Sequence, residues 1–387
     1  VLPGQVCDRP GPARAFLAGP ALFLAGLVVA GLAPSMPVLL AGRLLQGMGA
    51  GTQTVVSTVV IGLVYPERDR PAAFGAVSAA WVLPALIGPA VAGVVTERFG
   101  WRMVFLGLVP LVVVAVLLLI RVARRLPPHQ EAGVRPRRGR LAAALAAAGG
   151  VAGLSWAAEH PSPWTLGLGA ASIGLLVPAQ RVLLPAGTLR ARRGLPVTIL
   201  ARGLLAGAYF ACIAYVPLTL TAAHGFGPVL AGVPLSVGSL GWAAASAWQG
   251  RHRDLPRQRL LRLGFTLIAL GVATLALSAP TWGPPWLALP ALAVAGAGMG
   301  LGVSSVSVLT LAASPPKDRG VNSAAMWLCD QLGAAVFVGL GGVLVAALGS
   351  TTRPSHPVLV LNLLMAAVAL AGAAVTGPRV APRAART

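Results

Sequence analysis

The chain has 387 residues, 56% of them hydrophobic and only 10% charged, with a mean hydropathy of +0.80. A soluble globular domain carries about 25% charged residues, so the composition excludes an ordinary soluble fold. The formal charge is +21, from 30 Lys+Arg against 9 Asp+Glu, but the bases sit in short gaps between long apolar runs, which points to a membrane protein and away from nucleic acid.

A helix needs about 20 apolar residues to cross a bilayer core of about 30 Å. Twelve segments meet that need: 15–33, 37–64, 72–95, 102–122, 141–158, 163–184, 197–221, 228–249, 260–279, 286–312, 322–348 and 357–376. The gaps between them are short, and many hold Pro or Gly, as in Pro34 to Pro37 and Pro280 to Pro285. The segment 141–158 is the least apolar in pattern, alanine-rich and ending in Trp156 and Glu159.

Alternate gaps differ in basic charge. One set holds Arg9 and Arg14, Arg68 and Arg70, the arginines from Arg121 to Arg140, then Arg181, Arg190, Arg192 and Arg193. It continues with the arginines from Arg251 to Arg262, Lys317 and Arg319, and Arg379, Arg383 and Arg386. The opposite gaps hold Arg98, Arg102 and Arg353. The positive-inside rule then places both chain ends in the cytoplasm. The longest gap, RVARRLPPHQEAGVRPRRGR from Arg121 to Arg140, reads as a solvated cytoplasmic linker.

The chain repeats itself. GQVCDRP at 4–10 matches GRHRDLP at 250–256, each with Gly, then Asp, then Pro at the same spacing. GMGAG at 47–51 matches GMGLG at 298–302, and each precedes a charged turn, PERDR at 66–70 and PKDR at 316–319. Duplicated helical halves with a site near the midplane are a transporter architecture.

GQVCDRPGPAR at 4–14 resembles the signature loop between helices 2 and 3 of the major facilitator superfamily, through Gly4, Asp8, Arg9, Gly11 and Arg14. GRLLQGMGAG at 42–51 resembles the helix-4 signature of its drug:proton antiporters, with Arg43, Gln46, Gly47 and Gly49 in place. PALIGPAVAG at 84–93 resembles their helix-5 motif through Gly88, Pro89 and Gly93, while Pro84 and Ala92 stand where that motif usually has glycine.

The resemblance implies an all-α integral membrane protein with the two-bundle major facilitator fold, most like the fourteen-helix branch. It implies that the spans are family helices 3 to 14, so that the first two helices of the fold are missing. The implied divisions are an incomplete N-terminal bundle at 1–122, a linker at 123–140 and an extra helix pair with its following loop at 141–194. A C-terminal six-helix bundle at 195–377 and a cytoplasmic tail at 378–387 complete it. On this reading the gene encodes about 60 further residues upstream, two spans with their flanks, and the 387-residue chain alone inserts without transporting.

Charges inside a membrane are functional candidates. Arg43 sits one to two turns into its span; its guanidinium keeps its proton, so it can bind an anionic group but not carry the proton. The resemblance makes it the helix-4 arginine linked to proton coupling, with Gln46 beside it; the alternative is snorkelling to the interface. Asp330 lies about 12 Å along its span at 1.5 Å per residue and is the one acid well inside a span, a candidate proton site or a structural hydrogen-bonding group. Arg202, about one turn in from the basic side, reads as snorkelling.

Asp8, Arg9 and Arg14, with Gly250 and Asp254 in the repeat, read as a conformational latch loop at helix ends. Gly47, Gly49 and Gly51 read as sites of close helix approach, and Gly88-Pro89 as a place where the helix can bend. Tyr209, Phe210, Tyr215, Trp242 and Trp248 can face a substrate cavity or belong to aromatic belts.

His129, His160, His224, His252 and His356 all lie in gaps and form no HExxH pair, so no metal site is expected. Cys7, Cys212 and Cys329 offer no disulfide framework. No cofactor is expected, nor a Walker loop for ATP. The expected function is efflux of drugs or other small amphipathic molecules, driven by the proton gradient across the plasma membrane. The expected partners are lipid, protons and a small-molecule substrate, with a monomer favoured. The competing readings are a dedicated exporter of an endogenous metabolite or antibiotic, and a fragment that does not transport. A membrane-embedded enzyme would need convergent carboxylates or a nucleophile–base pair, which one acid and one arginine do not supply.

Overall fold

The computed structural model describes residues 12–80, 84, 91, 95–96, 98–124, 139–159, 163–252, 254–348, 355–376 and 379–380. Among these the chain is helical, with no strand. The helices are α1 (Pro12–Gly31), α2 (Met36–Val64), α3 (Arg70–Ala80), α4 (Arg102–Leu106), α5 (Val109–Ala123), α6 (Arg140–Glu159) and α7 (Pro163–Leu183). They continue as α8 (Leu195–His224), α9 (Pro228–Arg251), α10 (Arg257–Ala276), α11 (Ala288–Ala312), α12 (Arg319–Leu348) and α13 (Ser355–Thr376).

Among the described residues, eight stretches are helical, long and apolar enough to cross a membrane: Met36–Val64, Arg102–Ala123, Leu195–His224, Leu230–Arg251, Arg257–Ala276, Pro285–Ala312, Arg319–Val345 and Ser355–Thr376. α1, α6 and α7 hold shorter apolar runs, Phe16–Gly31, Ala142–Leu154 and Gly167–Leu183. The span expected at 72–95 starts as α3 and then runs mostly outside the described residues, as does most of the Arg121–Arg140 linker.

The helices begin and end where local chemistry dictates. Pro occupies the first turn of α2, α5 and α8, where its missing N–H costs nothing. α8 stops at Gly225, whose φ of +69° lets its N–H and that of Phe226 fold back on the Thr221 and Leu220 carbonyls. Within the spans, hydroxyls that water cannot reach bond to their own helix: Thr52, Thr58, Thr198, Thr219 and Thr376 each donate to the carbonyl four residues earlier.

The chain divides into two compact units. The first gathers the described residues of 1–67, 83–137 and 314–324. In it α1 packs along α2, and Phe16, Val56 and Ala123 form a small core with Leu17, Val60 and Leu119. Arg102 donates to the Ala33 carbonyl at 2.9 Å, and Arg319 to the Gly62 carbonyl near the end of α2 at 3.4 Å.

The second unit gathers the described residues of 68–82, 138–313 and 325–387, with a far larger core built from α8, α10, α11, α12 and α13. α3 lies against α9 and α11, and α6 pairs with α7, where Gly150 meets Leu176 and Ser172. The two segments that begin α3 and α12 follow the repeated charged turns, yet each groups with the unit that holds the other sequence half.

Candidate functional site

In the second unit, the crossing of α8 and α12 sets the site. A Cβ added at Gly203 would sit 2.8 Å from the Cys329 carbonyl oxygen, and one at Gly333 would collide with the Gly203 carbonyl. Only glycine lets the two backbones come this close. The neighbouring residues then meet: Arg202 Nε donates to Asp330 Oδ1 at 2.6 Å, an ion pair whose members are 2% and 3% exposed.

The rest of the pair is also engaged. Arg202 Nη1 donates to the Val303 carbonyl of α11 at 3.3 Å, and its guanidinium lies 4.4 Å from the centroid of the Trp327 ring. Gln331 Nε2 donates to Asp330 Oδ2 at 3.2 Å. Removing one partner of such a buried pair costs about 3–5 kcal/mol, because the other charge stays behind uncompensated.

The snorkelling expected for Arg202 is corrected. The side chain does not reach for the basic end of its helix; it turns inward because a carboxylate waits on α12. The missed signal was charge complementarity. Arg202 and Asp330 carry opposite charges inside spans that both start from the basic side, but nothing local in sequence joins positions 128 residues apart.

In the first unit, Arg43 is exposed and donates to Gln46 Oε1 at 2.8 Å. Gln46 is buried and donates to the Gly26 carbonyl of α1 at 3.1 Å. Gly49 lies in the same α1–α2 seam, where an added Cβ would be 2.5 Å from the Phe23 backbone nitrogen. Gly47 and Gly51 do not: among the described residues a Cβ at either meets nothing within 4 Å. Their expected close packing is corrected, because at 3.6 residues per turn positions 42, 46 and 49 share the face toward α1 and positions 47 and 51 turn away.

Gly250 is buried at the end of α9, where an added Cβ would be 3.3 Å from the Ala72 Cα atom of α3. Asp254 is exposed and within electrostatic reach of Arg257. Arg14 is exposed on α1. Gly4, Asp8, Arg9, Gly11, Gly88, Pro89 and Gly93 lie outside the described residues.

The aromatic candidates separate. Tyr209, Phe210 and Trp242 form one cluster, with ring centroids 5.4 to 6.3 Å apart. Tyr215 instead donates to the Val338 carbonyl at 2.8 Å, and Trp248 stacks on His252.

Residues 1–338 match the family described as the Major Facilitator Superfamily. The chain belongs to that superfamily. Its members are transporters rather than enzymes. The chain is 26% identical over 367 residues to the multidrug resistance protein Stp of Mycobacterium tuberculosis, covering 90% of this chain and 66% of that protein. It is 27% identical over 403 residues to the putative multidrug resistance protein MdtD of Salmonella heidelberg, covering 97% and 83%. With other relatives it shares a shorter stretch and spans 21–23% of their length. Among solved structures it is similar to the proton:xylose symporter XylE, with a TM-score of 0.66 at 15% identity over 98% of this chain and 82% of that one.

Within a major facilitator protein, the two halves of the repeat are now seen to differ. The first half carries an arginine held by a neighbour on its own helix, and the second an arginine held across helices. Among the described residues no cluster of His, Cys, Asp and Glu is grouped for a metal ion.

Proposed function

We propose that this protein is a secondary active carrier that exchanges protons for drugs or other small amphipathic molecules by alternating access. The observation that carries the proposal is Asp330, a carboxyl 3% exposed within a membrane-spanning helix. Such groups are costly and mark proton or ion pathways. The names of the two relatives matched along most of the chain support a drug-type substrate.

In this reading Asp330 takes and releases the proton, and Arg43 with Gln46 belongs to the coupling region or the substrate cavity. The Tyr209, Phe210 and Trp242 cluster supplies apolar ring surface of the kind a flat drug molecule stacks on. The segment with Gly4, Asp8, Arg9, Gly11 and Arg14 and its repeat with Gly250 and Asp254 act as latches between carrier states, and Gly88, Pro89 and Gly93 serve as the antiporter-type motif. The carrier works as a monomer in the plasma membrane, with both ends cytoplasmic and no bound cofactor.

The test is proton flux in proteoliposomes carrying the protein expressed from its complete reading frame. Ethidium added to pyranine-loaded vesicles under a pH gradient is expected to drive proton movement. Arg43→Ala should abolish that movement while leaving yield unchanged, since its side chain is exposed. Ethidium accumulation without proton movement, or full activity in Arg43→Ala, would contradict the proposal.

A further inference from the structure

Toward the end of α8 that carries His224, a small cavity lies between α8, α13 and the segment that follows α10. Three of the side chains lining it are polar: Thr219 of α8, Ser278 just after α10, and Asn362 of α13. All three are buried, and the rest of the lining is apolar. His224 Nε2 donates to the Ser278 carbonyl at 2.8 Å, which fixes the segment after α10 against the end of α8.

The donors and acceptors around this space do not balance. Thr219 Oγ1 donates to the Tyr215 carbonyl at 2.8 Å, and Ser278 Oγ donates to the Leu275 carbonyl at 2.8 Å. Each hydroxyl has thereby used its one hydrogen and offers other partners only lone pairs. Asn362 is 1% exposed, and among the described residues its Oδ1 has no hydrogen-bond partner. It sits on an otherwise apolar face of α13, where Met365, Ala366, Ala369 and Ala373 follow at helical spacing and join the core shared with α8 and α10. A buried acceptor without a donor carries its full desolvation cost. Native proteins meet that cost with a protein group or an ordered water.

We infer that this cavity is a binding site for one ordered water molecule, which donates to Asn362 Oδ1 and to the hydroxyl oxygen of Thr219 or Ser278. α13 is then tied to α8 and α10 through solvent. The size agrees: the space open to the centre of a water molecule is ≈ 10 Å³, and one water takes about 10–15 Å³ on that measure. The partners agree as well. The three oxygens accept, and the Asn362 amide N–H is the lining side-chain donor that can answer the water's own lone pair. A cation is the poorer occupant. The lining has no charged side chain, and three neutral oxygens do not offset the lost hydration of an ion.

Radiolytic hydroxyl-radical labelling of the protein expressed from its complete reading frame, in lipid, tests this directly, because a bound water generates the radical where it sits. Leu220 and Val358 line the cavity and are buried. Both should be oxidised well above Phe265, which is buried outside the lining. In Asn362→Leu that excess should be lost. Leu220 and Val358 as silent as Phe265 in the wild type would overturn the inference, and so would excess labelling that persists in Asn362→Leu. If Asn362→Leu fails to fold, Thr219→Val and Ser278→Ala combined remove the other two acceptors and decide in the same way. A wild-type thermal midpoint raised by sodium chloride over choline chloride, with the rise absent in Asn362→Leu, would give the site to a cation and overturn the water.

Discussion

Arg43 and Arg202 both lie inside membrane-spanning helices, and their surroundings are opposite. Arg43 is exposed and held by Gln46, three residues along the same helix. Arg202 is buried and held by Asp330 on a helix far along the chain. The repeated glycine motifs differ in the same way. In GMGAG, Gly49 is the glycine that meets another helix among the described residues, and that helix is α1. In GMGLG each glycine meets a different one: Gly298 faces Gly264 and Ile268 of α10, Gly300 faces Trp242 and Ser246 of α9, and Gly302 faces Leu205 of α8. The same local motif is thus a one-sided seam in one unit and a three-way junction in the other. What a residue does here depends on how many helices crowd it.

The largest test of that contrast is at the glycines. Gly300→Leu would drive a side chain into the Trp242 carbonyl, backbone that cannot yield cheaply. Overpacking of this kind costs about 1–3 kcal/mol or more, and the upper end is expected here. Little folded protein should elute as a single species in detergent size exclusion. Gly47→Leu, with nothing within 4 Å, should elute as wild type. Equal losses at both sites would break the comparison.

A smaller effect separates the polar seams. Gln46→Leu removes the acceptor for Arg43 and the donor to the Gly26 carbonyl. A loss of about 1 kcal/mol is expected, read as a modest fall in thermal midpoint. A collapse as large as that of Gly300→Leu would show that the first unit is as tightly built as the second. The smallest effect belongs to Gly51→Ala. It should stay within about 0.5 kcal/mol of wild type, because its added methyl meets open space.

The sequence made the spans legible because apolar length is a local property. Each of the twelve expected spans corresponds to a helix or to the start of one, down to the alanine-rich 141–158. The order of elements and the family were legible for the same reason. Helix faces were harder, because helices apolar all round carry no stripe to say which side packs. That is why Gly47 and Gly51 read like Gly49. The pair at α8 and α12 was half legible. Asp330 stood out as an acid within a span, while Arg202 looked like a residue near a helix end with an easy route to water. Its partner is set by the glycine crossing at Gly203 and Gly333, a tertiary feature with no local mark.

The Arg202–Asp330 pair is the claim on which the reading of the second unit depends, and a double-mutant cycle measures it most directly. Arg202→Leu, Asp330→Leu and the double variant should be compared with wild type by thermal unfolding in detergent. Each single change should cost about 3 kcal/mol or more, because it strands a buried charge. The double change should recover most of that loss, because an apolar pair replaces a buried ion pair at little cost. Single effects that simply add, within about 0.5 kcal/mol, would mean that the two side chains do not hold each other, and would contradict the account.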